Sequence, residues 1–308
     1  MLKSKRASFL RGRALRVTKL DRAGRPVLGD ESVVVSKGYV TISYTANTEE
    51  GEAITVTNAA GETCVSETAV PSFNGYTMEV TFCDVDFALF SMLTGQEVID
   101  DGNGTAVGYK MESGVDVSAE PFALEVWLGA QTDMAPSTAS EGFFGYVLTP
   151  FLNGGTVGDF TVENAAITFT VNNLSTKTGS AWGAGPHLVQ LNAAGTTKTT
   201  LLNPVSAKEH LRQQIVEVAP PEPYVGARPL LDSTDPEVTS ITATETGLSV
   251  SIAPTPAGSD PMWYDLGDGT WDYAATGSYT HEYAAAGTYT IIGYRGGSSA
   301  STTVTVSA

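Results

Sequence analysis

The residues best suited to bind a metal or act as nucleophiles are His187, His210, His281, Cys64 and Cys83. No two of the histidines share the short spacing of a zinc site. His187 and His281 read as packed, structural side chains. Cys64 and Cys83 can form a disulfide or stay reduced as small buried hydrophobes, and the second is the expectation in a reducing compartment. Asp265 and Asp268 suit either a cation or a braced turn, and the turn is the expectation. Asp101-Gly-Asn103-Gly-Thr105 with Glu112 has the outline of a calcium loop, but Ala106 stands where such a loop turns on glycine, so a surface turn is expected. There is no nucleophile elbow, phosphate-binding loop or dinucleotide fingerprint. Pairs of carboxylates arise by chance among 34 acids and define no acid–base couple. The chain therefore reads as not an enzyme, with no catalytic residue, metal or cofactor expected.

What remains is the placement of charge. Nine of the 17 Lys and Arg residues, against the single acid Asp21, fall within the first 25 positions, giving a net charge of +8 there and −25 over the rest. Residues 26–236 alone hold 7 bases and 26 acids. A basic arm on an acidic body can bind copies of itself, whereas the body should repel nucleic acid. Among those bases the only aromatic is Phe9, so the arm reads as protein-contacting rather than nucleic-acid-binding.

These features need elements to hold them. The length of 308 residues suits two domains. With 32 glycines and many short Val/Ile/Thr/Tyr runs, the chain is expected to be all-β. Expected strands are 14–20, 32–35, 39–44, 53–57, 76–82, 123–127, 145–149, 166–171 and 187–191, then 238–244, 248–253, 288–293 and 302–306. One helix is expected over Asp84–Thr94, with Asp84 as N-cap and Gly95 closing it. A second short helix is expected at Ala207–Gln214. The division is a basic arm over 1–13, a first domain over 14–218, a proline-rich linker over 219–236 and a second domain over 237–308. No signal peptide and no apolar run of membrane-spanning length are visible, which points to assembly in a cytoplasm.

The run Trp263-Tyr-Asp-Leu-Gly-Asp-Gly269, then Tyr279-Thr-His-Glu-Tyr283 and Ala286-Gly-Thr-Tyr-Thr-Ile291, resembles the PKD type of immunoglobulin-like β-sandwich. Gly267 and Gly269 permit the positive φ of a tight turn, and Asp268 can brace it. Trp263, Tyr283 and Tyr289 are expected between the sheets. Ala284-Ala-Ala286 departs from the family, which often places a proline before the glycine.

The first domain resembles the major tail proteins of long-tailed bacteriophages infecting actinobacteria. The resemblance is carried by the ordered stretches Leu15-Arg-Val-Thr-Lys-Leu-Asp-Arg-Ala-Gly-Arg-Pro26, Ser36–Gly51, Gly75–Asp84, Ala88–Gly95, Pro150–Phe160 and Gly179–Pro186. It implies a virion structural protein: a tail-tube-type β-sandwich/barrel with one flanking helix, six copies to a ring whose strands join in one inner β-barrel, and rings stacked into a hollow tube that passes DNA. The implied partners are further copies of itself, the tape measure and tail terminator proteins, and host-surface glycans or proteins met by the C-terminal module. Glu49, Glu50, Glu52, Asp100 and Asp101, in expected loops, are candidates for an acidic lumen. Lys5, Arg6, Phe9, Leu10, Arg11, Arg13 and Arg16 are candidates for contact between rings. The alternatives are another phage part, such as a tail-end or capsid decoration protein, or a PKD-containing surface adhesin.

Overall fold

The computed structural model describes residues 8–84, 86–102, 105–118, 120–130, 143–160, 168–230, 238–258, 262–274, 277–295 and 298–307. The candidates Lys5 and Arg6 lie outside them. The chain is nearly all β. Its first part contains β1 (Phe9–Lys19), β2 (Gly29–Ser36), β3 (Tyr39–Glu49), β4 (Ile54–Thr57), β5 (Thr63–Glu67), β6 (Ser72–Phe82), α1 (Phe87–Thr94), β7 (Val98–Asp100), β8 (Ala106–Tyr109), β9 (Phe122–Ala130), β10 (Phe144–Asn153), β11 (Thr156–Val157), β12 (Phe169–Thr176), β13 (Gln190–Leu191), β14 (Lys198–Thr199), β15 (Arg212–Val216) and β16 (Arg228–Leu230). Its second part contains β17 (Ser240–Thr246), β18 (Ser249–Thr255), β19 (Met262–Asp265), β20 (Trp271–Ala274), β21 (Tyr279–Glu282), β22 (Gly287–Arg295) and β23 (Ser298–Val306).

One antiparallel sheet organises the first part, in the order β16-β2-β1-β9-β10-β12-β6-β3, with β15 also on β10 and β11 on β12. Leu15, Val17, Leu124 and Val126 from one half share a core with Met78, Val80, Val171 and Leu174 from the other, and α1 adds Leu89, Phe90 and Leu93. The alternate residues of the first half face a second core with Trp127, Tyr146, Trp182, Val189 and Leu201. β1 and β9 are thus buried on both faces, which is why Ala14–Leu20 alternates only imperfectly.

The helix starts at Asp86 rather than Asp84. Asp86 Oδ1 accepts from the backbone N–H groups of Ala88 and Leu89 at 2.8 and 3.2 Å. Gly95, at φ 68°, closes the helix by donating its N–H to Ser91 O. The expected helix over Ala207–Gln214 does not form. β15 begins at Arg212 and pairs with β10, while Glu209 is held by Arg212 at 2.6 Å. The strand expected at 166–171 begins at Phe169 and runs to Thr176, its first two positions lying outside the described residues. The strand expected at 187–191 shortens to two residues, because His187 and Val189 turn into the second core. Both cysteines are free and exposed, not buried. Cys64 stands on the projecting β4–β5 hairpin, and Cys83 just beyond the end of β6.

In the second part, sheets β17-β18-β21 and β20-β19-β22-β23 enclose Val250, Ile252, Met262, Tyr264, Tyr283, Ile291 and Val304. Tyr283 takes its expected place and Tyr289 stacks on it at 4.0 Å. Trp263 does not: the alternation of β19 puts Met262 and Tyr264 inside and turns Trp263 outward. Gly267 and Gly269 have φ 76° and 89°, and Asp268 Oδ1 accepts from Thr270 N at 2.9 Å. Among the described residues no helix is long and apolar enough to cross a membrane.

Candidate assembly surfaces

The basic arm is shorter than expected. Residues 9–13 are strand, because Phe9, Leu10, Gly12 and Ala14 pair with Ala130, Gly129, Leu128 and Trp127 of β9. The register shifts on either side of Gly12, and Arg11, at φ 61°, and Arg13 stand out beside it, both exposed. Gly12 is required, since a Cβ there would overlap the Tyr39 ring. The Phe9 ring lies on Gly145, where a Cβ would come within 2.7 Å of it.

Arg16 is not a surface contact. It is 6% exposed, and its Nε and Nη2 donate to the two carboxylate oxygens of Glu125, each at 2.6 Å. Tyr146 Oη donates to Glu125 Oε1 at 2.6 Å. Thr18 Oγ1 meets His187 Nε2 at 3.0 Å beside this pair. Burial first, and then the Arg16 charge, hold the His187 imidazole well below its ordinary pKa of 6.5. Burial first, and then the Glu125 charge, push the Tyr146 hydroxyl well above 10. The signal for this cluster was a lone acid within the apolar run Ala123–Leu128, since a fully buried Glu needs a partner.

The five lumen candidates are exposed and lie on two separate segments of the chain. Glu49 ends β3, and Glu50 and Glu52 lie in the connection to β4. Asp100 and Asp101 lie at the turn of the separate β7–β8 hairpin, where their carboxylates accept from Gly102 N and Thr105 N. A different feature joins these regions. From Gly38 to Tyr109 the chain has eleven acids and not one Lys or Arg. On the outer face of β3, β6 and β12, Ser43 opposes Glu79, Thr45 opposes Thr77 and Thr81 opposes Thr170. β3 is an edge strand of eleven residues, unpaired along its far side among the described residues.

The β4–β5 hairpin prolongs β3 and β6. Ile54, Val56 and Val65 share one face of it and are 47, 50 and 51% exposed. Val70 and Phe73 beside its base are exposed as well.

The linker is not a free tether. Its β16 pairs with β2, and Gly226 N donates to Asp86 Oδ2 at 2.6 Å. Arg228 is buried between the rings of Tyr224 and Tyr294, at 3.6 and 4.5 Å, with Asp265 Oδ2 at 3.4 Å. Burial lowers the pKa of Arg228 and raises those of both tyrosines. A cavity of about 300 Å³ at this junction is lined by Arg16, His187, Glu222, Tyr224, Trp263 and Tyr294, among others. The outward face of β19, β22 and β23 is therefore seated on the first domain.

No group of three or more potential metal ligands occurs among the described residues. No protein-family profile matches the chain, and no curated protein matches it either.

Proposed function

We propose that this chain is a structural subunit of a phage tail tube, assembling as rings that stack around a channel for DNA. The observation that carries the reading is the eleven-residue open edge of β3, bordering a hydroxyl-rich face on a stretch without a single base. A long unpaired edge is a template for another strand, and closing strands into a ring removes it. The ordered tail-protein motifs support the same reading. The β3–β6–β12 face would then line the channel, with Glu79 as its acid in place of the loop acids. Such a wall offers phosphate no Lys or Arg to hold it, so DNA can pass without sticking. The second domain, of the immunoglobulin-like kind its motifs resemble, would ride at the β2 end of the sheet, away from the channel.

Negative-stain electron microscopy of the purified chain tests this. Hollow tubes of uniform width are the expected outcome, and monomers at all concentrations and salt conditions would refute it. Tubes of Glu79→Lys should retain DNA in a filter assay that wild-type tubes pass. Equal retention by both would remove Glu79 from the channel.

A further inference from the structure

Two open strand edges of opposite charge lie far apart on each subunit, and we propose that they meet between copies. The β4–β5 hairpin of one chain adds along the uncovered N-terminal half of β1 in another. This rests on reading the chain as self-assembling.

The receiving edge is specific. β2 covers β1 only from Leu15 to Thr18, so Phe9–Arg13 is paired on the β9 side alone. Arg11 and Arg13 stand exposed at the bulges of this stretch, and neither forms an ion pair among the described residues.

The hairpin is the complement. From Asn47 to Asn74 it carries Glu49, Glu50, Glu52, Glu62 and Glu67 and no base. None of the five forms an ion pair among the described residues; Glu49 and Glu62 accept only from Asn74 and Asn58. Its two strands pair with each other and with no other described strand. A two-stranded ribbon is marginal alone in water, so one with an apolar face needs a cover.

Geometry rules out pairing within one chain. Tyr39, at the start of β3, packs over Gly12 of β1. The hairpin leaves from the opposite end of β3, roughly 35 Å away at about 3.3 Å per residue. Each subunit thus carries the edge at one end and the hairpin at the other. A contact of this head-to-tail kind repeats along one axis wherever its rotation does not close into a ring.

The native Cys64 on β5 is a ready probe. In a Cys83→Ser background, Arg13→Cys should give a disulfide-linked ladder on a non-reducing gel, lost when Cys64→Ser is added. A ladder that survives Cys64→Ser, or no ladder from assembled protein, overturns the pairing. Charge reversal is the second arm. Arg11→Glu/Arg13→Glu and Glu52→Lys/Glu67→Lys should each slow assembly roughly tenfold or more at low salt, and the quadruple variant should recover most of that loss. Doubles that assemble like wild type, or a quadruple no better than either double, also overturn it. Crosslinked ladders without tubes would sink the tube reading and keep the pairing. Tubes indifferent to both arms would do the reverse.

Discussion

Replacing Arg16 alone should damage the fold more than removing its whole polar cluster. Glu125 is 0% exposed, and the guanidinium supplies two of the three hydrogen bonds to its carboxylate. In Arg16→Met the carboxylate stays buried with only the Tyr146 hydroxyl on it. Stranding one member of a buried ion pair costs about 3–5 kcal/mol. Arg16→Met/Glu125→Leu/Tyr146→Phe removes both charges and the hydroxyl that would otherwise lose its acceptor. Such apolar replacements are often near neutral, so the triple variant should lie within about 2 kcal/mol of wild type. Urea unfolding followed by tryptophan fluorescence reads this locally, because Trp127 lies 4.9 Å from the Arg16 guanidinium and 5.2 Å from the Tyr146 ring. At a slope of about 2 kcal/mol per molar, the single variant should lose about 1.5–2.5 M in midpoint. A shift under about 0.5 M would mean that the carboxylate is not stranded. A triple variant that falls as far as the single would mean that packing, not charge, holds the site.

Three shorter expectations follow from the same contacts. His187 is neutral when folded and its pKa is depressed, so the unfolded chain takes up a proton first. Stability should therefore be intact above pH 6.5 and fall as pH drops from there toward the folded-state pKa, and His187→Gln should flatten that loss in denaturation midpoints at pH 7.5 and 5.5. Asp86→Ala loses the helix cap and the bond to Gly226, and should cost about 1–3 kcal/mol by denaturant titration. Truncation after Val218 should do more than remove an appendage: it strips β16 from β2 and uncovers Val33 and Val35, so electron microscopy should show amorphous aggregates in place of the uniform tubes expected of the full chain.

Where a segment's own pattern matched its final surroundings, it was legible. Thr77–Phe82 alternates in sequence and alternates in burial, and Gly95 closes its helix where expected. Local reasoning failed where a distant partner decided. Asp84 and Asp86 are equally good caps on paper, and only the chain path selects the second. Ala207–Gln214 has helical composition, yet pairing with β10 overrides it. Arg16 looked like a contact between rings because its partner lies 109 residues away. Cys64 looked like core because nothing in sequence says that a hairpin projects without a covering layer. The linker's prolines suggested a tether, but they could not show that Arg228 would be gripped from both sides.

The edges of the sheet give the charge pattern a direction. At one end of the strand order β2 is closed by β16, and the second domain is seated beyond it on Tyr224 and Arg228. At the other end β3 is open along eleven residues. A sheet closed at both ends would stay monomeric, and one open at both ends would grow without control. This arrangement directs lateral pairing toward the β3 side. The hairpin and the bare half of β1, at opposite ends of the strands, then supply a second direction of growth roughly along them. On the proposed tube reading, ring closure and stacking would draw on different surfaces, with the acids and bases divided between the two ends of the proposed stacking contact. In that proposal the acidity between Gly38 and Tyr109 would repel DNA on the β3–β6–β12 face and hold copies together through the β4–β5 hairpin.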